Sequence, residues 1–163
     1  MDGYRTVVVG TDGSESSMRA VVRAAEVAAA QENATLIIAS AHIEEVEKGG
    51  WSRPPSQDHV SDPRAADALG GEGYILHGNA PVYGILQEAH DKARAAGAPS
   101  IKERAVQGAP VPALVKLVKE VDADLLVVGD VGLDSVAGRL LGSVPAEVAR
   151  RAPIDILIVH TAD

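Results

Sequence analysis

The 163-residue sequence has no cysteine and no phenylalanine, and only one tryptophan and three tyrosines. Without cysteine, disulfides and thiolate chemistry are both excluded, an absence that fits the cytosol. With aromatics so scarce, the core has to be built from Val, Leu, Ile and Ala. No apolar run reaches the ~18 residues needed to cross a bilayer, and the N-terminus lacks a signal-peptide pattern, so a cytoplasmic protein is expected. Basic residues are short as well: 15 Lys and Arg stand against 23 Asp and Glu, for a formal net charge of −8. That balance argues against broad nucleic-acid or anionic-membrane binding, since phosphate backbones need a basic face. An anionic ligand would have to be held by local backbone donors.

Catalytic signatures are missing too. There is no G-x4-G-K-[ST] phosphate loop and no lysine in the glycine segment to bridge β- and γ-phosphates. No G-x-G-x-x-G follows the first strand, which counts against a dinucleotide dehydrogenase. His42, His59, His77, His90 and His160 are scattered without a partner pattern. Ser14 and Ser143 have no nucleophile-elbow context. No catalytic residue is expected, and any ATP hydrolysis should be slow and incidental.

What the chain does have is LLVVGDVGLDSVAGRLLGSV, from Leu125 to Val144. An apolar run stops at Gly129, Gly132 follows, and Gly142-Ser143 leads into a helix. Bare backbone can approach a phosphate closely, and a helix start offers unpaired N–H groups and partial positive charge. The connection from Gly129 to Ser143 far exceeds the usual two to six residues between strand and helix, and long ordered loops are usually functional. Each residue also has a structural alternative: Gly129 ends a strand, Ser143 caps a helix, Asp12 caps a turn.

In chain order, residues 4–10 read as a buried strand and Thr11 to Ser14 as a turn with Ser14 the N-cap. A helix follows with Met18, Val21, Val22, Ala25 and Ala29 on one face. Ala34 to Ala41 is a second buried strand. From 43 to 78 the pattern collapses into charged, Pro/Ser-rich and Gly-rich stretches, read as a mobile insertion in a single domain spanning 1–163. Asp58, His59, Asp62 and Asp67 there match no metal-ligand spacing, and a solvated loop is the reading taken.

A second helix starts at Asn79-Ala80-Pro81, buries Val82, Ile85, Leu86, Ala89, Ala93 and Ala96, and stops at Gly97. Ile101 to Gly108 is a third strand, placed at an edge by Lys102, Glu103 and Arg104. Pro110 to Val121 is a helix with Leu114, Val115, Leu117 and Val118 inward. Asp124 to Gly129 is the fourth strand, Ser143 to Arg151 the last helix, and Ile154 to His160 the last strand. Its alternation is partial, which suits an edge where a second copy can pair.

Strands alternating with helices predict an α/β fold: a three-layer α/β/α, doubly wound, parallel five-stranded sheet of Rossmann-like type, in the order 3-2-1-4-5. Strands one and four then lie side by side, and their glycine exits VVVG-TDG and LVVG-DVG meet where ligands of such sheets sit.

The signature G-x2-G-x9-G-[ST], carried by Gly129, Gly132, Gly142 and Ser143, resembles the nucleotide loop of the universal stress protein family. The likeness extends to the opening VVVGTDGSESS, the run RLLGSVPAEVARRA and the apolar closing strand, and is similar to actinobacterial, mycobacterial-type members. It implies an adenine nucleotide as ligand, cAMP or ATP, with Mg²⁺ accompanying ATP. It places Asp12 near the ribose or the metal, and Gly10 and Thr11 on the floor. Backbone of Ala39, Ser40 and Ala41 lies at the adenine edge, and Val128 and Gly129 border the ribose. Gly132, Gly142, Ser143 and Val144 wrap the phosphates, with Arg139 the one basic side chain of the loop.

Asp130 and Asp134 depart from the small, polar or basic residues of many ATP-binding members. Like charges near a triphosphate cost energy unless screened, whereas a cyclic monophosphate brings a single charge. Some mycobacterial-type relatives prefer cAMP, and this acidic loop leads to the same expectation here. The family resemblance makes the chain a nucleotide-binding stress-response protein that senses or buffers nucleotide, paired as a homodimer through its last strand. A slow ATPase or nucleotide-dependent enzyme, and an interaction protein with a vestigial pocket, are the competing readings.

Overall fold

The computed structural model describes residues 3–42, 80–130 and 143–161. Its sheet is built from β1 (Thr6–Gly10), β2 (Thr35–His42), β3 (Ile101–Gln107), β4 (Leu125–Gly129) and β5 (Asp155–Val159). The order is β3-β2-β1-β4-β5 and every described pairing is parallel, as the alternation of elements requires. The helices are α1 (Glu15–Ala29), α2 (Ala80–Ala95), α3 (Pro110–Glu120) and α4 (Ser143–Arg151). The 43–78 segment, with Asp58, His59, Asp62 and Asp67, lies outside the described residues.

Period-two alternation in the strands splits the core into two layers. Val7, Val9, Leu36, Ile38, Leu125 and Val127 face Met18, Val21, Ala25 and Ala28 of α1 and Val82, Leu86, Ala89 and Ala93 of α2. Val8, Ile37, Ala39, Leu126 and Val128 face Leu114, Leu117 and Val118 of α3 and Val144 and Val148 of α4. Both faces are covered, which is why β1, β2 and β4 are almost continuously apolar. The chain winds outward one way from β1 through β2 to β3 and the other way from β4 to β5, and the reversal of winding between β1 and β4 opens the crevice.

Local chemistry sets the ends. Ser14 caps α1, its hydroxyl accepting from Ser17 N at 3.1 Å. Gly97 follows α2 with φ +98°, the left-handed stop expected of it. The first strand begins at Thr6 instead of Tyr4 because the Asp124 carboxylate takes the N–H groups of Arg5 and Thr6, each at 2.9 Å. The inward stripe of α1 is also wider than expected: Ala20, Ala24 and Ala28 are buried, while Val22 is half-buried and Ala29 is exposed. Small alanines let the helix lie flat over the sheet, so its contact face broadens beyond a single i, i+3, i+4 row.

Candidate functional site

At the mouth of the crevice, β1 ends in a turn whose polar groups are mutually satisfied. Thr11, only 1% exposed, has its hydroxyl 2.7 Å from Ser17 Oγ. Gly13 N donates to Thr11 Oγ1 at 3.1 Å. Asp12 Oδ1 accepts from Ser14 N and from Ser17 Oγ, both at 2.9 Å. One proton assignment satisfies the set: Ser17 donates to the carboxylate while accepting from Thr11. Asp12 is half-buried, and its Oδ1 is held by the cap and first turn of α1. Gly13 has φ +86°, a conformation L side chains rarely adopt.

The adjoining wall is β2, which outruns β1. The last β1 pair is Gly10 with Ala39, and Thr11 N then donates to Ala39 O at 2.9 Å. Alternation fixes which way each β2 amide points. Thr35 N donates to Arg5 O on the β1 side, Leu36 N to Ser100 O on the β3 side, and His42 O accepts from Gly108 N, again on the β3 side. By the same alternation, Ala41 turns its N–H and C=O toward β1, two residues past the last ladder pair. No described strand runs beside Ala41 on that side, so a donor and an acceptor face the crevice together. Of the three residues expected at an adenine edge, Ala39 has its carbonyl occupied, Ser40 is 1% exposed and directs its amide to β3, and Ala41 offers the paired groups.

The opposite wall is the exit of β4. Gly129 is buried, and a Cβ placed there would meet Thr161 Cγ2 at 3.4 Å and Ser16 Oγ at 3.5 Å, ordinary van der Waals contacts, so the chain after β5 and the start of α1 lie directly against it. Val128 and Val144 are sealed in the core beneath α3 and α4; any role of theirs toward a ligand belongs to their backbone. Ser143 opens α4, whose N-terminus lies at the same edge of the sheet because α4 returns the chain to a parallel strand. Gly132, Arg139 and Gly142, together with Asp134, lie outside the described residues.

Two groups that the sequence pattern did not single out belong to this region. Ser17 anchors Asp12 and Thr11, and Thr161 packs against Gly129 while its hydroxyl pairs with Ser16 Oγ. The SESS run gave a hint of the first; nothing local pointed to the second. Asp130, expected as an acidic loop residue near the phosphates, accepts from Thr161 N at 3.0 Å and Thr161 Oγ1 at 2.6 Å and sits 2.8 Å from His160 Nδ1. Burial pushes its carboxyl upward, but the donors of Thr161 and the neighbouring His160 outweigh that and hold it below its ordinary value.

Among the described residues, no three His, Cys, Asp or Glu side chains are grouped to hold a metal ion. No helix among them is long and apolar enough to cross a membrane.

A family model described as the universal stress protein family matches residues 3–160. A universal stress protein of Mycobacterium tuberculosis strain H37Rv is 56% identical over 161 residues, 99% of this chain and 99% of the relative. A universal stress protein solved in complex with cAMP is 52% identical, with a TM-score of 0.70 over 99% of this chain and 100% of that one. The universal stress protein UspA from Lactobacillus plantarum has the same fold at 19% identity, with a TM-score of 0.69 over 98% and 99% of the two chains.

Proposed function

The chain belongs to the universal stress protein family, and on that premise we propose that it is an adenine-nucleotide receptor. It binds cAMP, ATP or both, and senses or buffers nucleotide in the cytoplasm during stress. The observation that carries this reading is the unpaired edge at Ala41. An amide N–H and a carbonyl side by side match the acceptor and donor on the Watson–Crick edge of adenine. The Asp12 carboxylate across the crevice suits a ribose hydroxyl. The bare Gly129 wall and the N-terminus of α4 suit a phosphate. The cAMP complex of the protein 52% identical to this one supports cAMP in particular.

Binding without catalysis is the economical reading. No lysine stands in the glycine segment, and Asp12 is the one described site carboxylate that would meet a Mg²⁺ brought by ATP. Two copies would pair through β5, an edge strand on which Ile158 is 42% exposed.

Mass spectrometry of small molecules released on denaturing the purified protein tests the reading, followed by titration calorimetry with cAMP and with ATP. Adenine nucleotide in the released fraction and saturable binding are expected. Absence of both would leave an interaction protein with a vestigial pocket. Steady-state phosphate release at enzymatic rates would make it an ATPase. ATP binding at least tenfold tighter than cAMP would remove the cAMP preference.

A further inference from the structure

We propose that Asp130 is a positioning residue for the Gly129 side of the crevice, acting through Thr161, and that its charge is taken up there instead of opposing a ligand phosphate. The inference rests on the nucleotide reading above.

The observations form a closed chain of contacts. Asp130 N donates to Val159 O at 2.9 Å, adding one bond to the β4–β5 ladder beyond Gly129. Its carboxylate then turns along β5. Oδ1 receives both the N–H and the hydroxyl of Thr161, while Oδ2 faces the His160 ring. Thr161 is itself 5% exposed. Its carbonyl accepts from Arg19 Nη1 at 2.7 Å, and its hydroxyl meets Ser16, both residues of α1. Asp130 therefore ties the exit of β4 to the segment after β5, and that segment ties to the helix whose first turn holds Asp12. The two glycine exits of the crevice are joined through Thr161.

A carboxylate accepting two hydrogen bonds on one oxygen, with an imidazole at the other, is turned away from any phosphate at Gly129. This differs from the expectation that an acidic residue at this position penalises ATP relative to cAMP by repulsion. The geometry places both nucleotides under the same demand, namely that Gly129 stay where Thr161 holds it.

Calorimetric titration with cAMP and with Mg²⁺–ATP on the wild type, D130N, D130A and T161V separates the two. Asn keeps an oxygen for Thr161 and removes the charge, so D130N should bind both nucleotides within about threefold of wild type. D130A and T161V should weaken both by a similar factor, about tenfold for a lost hydrogen bond of ordinary strength, leaving the ATP-to-cAMP ratio unchanged. If D130N instead bound ATP tenfold more tightly with cAMP unchanged, Asp130 would be a charge facing phosphate and the proposal would fall. Wild-type affinity in D130A or T161V would overturn the tether alone. A wild-type protein binding neither nucleotide would overturn the nucleotide reading and this inference with it. Should D130A fail to fold, T161V, which leaves the carboxylate in place, carries the same comparison.

Discussion

The Tyr4 phenol donates to Asp155 Oδ2 at 2.9 Å, joining the residue two before β1 to the first residue of β5 across the intervening β4. The hydrogen bond to Asp155, with partial burial and the carboxylate's charge behind it, holds the phenol above its ordinary value. A group whose pKa is raised by folding stabilises the fold while it stays protonated. That contribution is complete below about pH 10, the ordinary tyrosine value, and is lost as pH rises through the folded value. The tyrosinate absorbance of the native protein should include a late-titrating component that Y4F removes. Y4F should also lose less stability than wild type on the alkaline side.

Asp130 gives the opposite sign. Its carboxyl is lowered on balance, so the folded state binds its proton less readily than the unfolded chain does. The stabilisation it supplies is present above the unfolded carboxylate value, about 3.9, and disappears as pH falls through the folded one. Denaturant midpoints for wild type and D130N should therefore differ at neutral pH and converge in acid. A gap that stays constant down the acid limb would mean that the ionised form is not what Thr161 and His160 hold.

Gly13 and Gly97 share a positive φ but not their surroundings. At Gly13, with φ +86°, a Cβ would come 2.8 Å from Ile85 Cγ1 on α2; at Gly97, with φ +98°, it would meet Ala29 Cβ at an ordinary 3.6 Å. G97A should cost only the backbone strain, about 1 kcal/mol, near the lower end for a non-glycine residue held in that region. G13A should cost that plus the displacement of α2 from the turn that carries Asp12, for a total of about 2–4 kcal/mol. Urea unfolding of the two variants checks the order; equal losses would mean that Ile85 moves aside freely.

The edge positions of β3 and β5, the Ser14 cap and the Gly97 stop were legible in the sequence because each rests on a local pattern, and the sheet order followed from the alternation of strands and helices as the most economical doubly wound arrangement. Apolar runs mark buried parallel strands, charged residues mark an edge, and Ser or Gly marks a helix end. The bounds of α4 at Ser143 and Arg151 were legible for the same reason, lying between a glycine-serine pair and Pro153. Contacts made by register were not. Asp130 and Thr161 are 31 residues apart, and only the Gly129–Val159 pairing brings them together. Read alone, Asp130 was an acidic loop residue near the phosphates. The role of Ala41 was half legible: the segment was singled out, but which of its three amides turns toward the crevice depends on where β1 stops.

That stopping point yields the most direct test of the site. Proline at position 41 removes one N–H, the one aimed at the crevice, and leaves the carbonyl. The β2–β3 ladder keeps its bonds there, since it runs through Ser40 and His42 while Ala41 faces the other way. Ser40, the residue before it, is already extended, as a proline requires of its neighbour. A41P should thus fold with a normal circular dichroism spectrum and a small loss of stability. Its affinity for cAMP and for ATP should fall together, by about tenfold for the loss of one hydrogen bond at the adenine edge. A41S, which keeps the N–H, should bind as wild type does. The pattern discriminates because both ligands carry the same base and differ in phosphate. A loss confined to ATP would put the defect at the phosphate wall instead, and no loss in A41P would show that adenine does not read this edge.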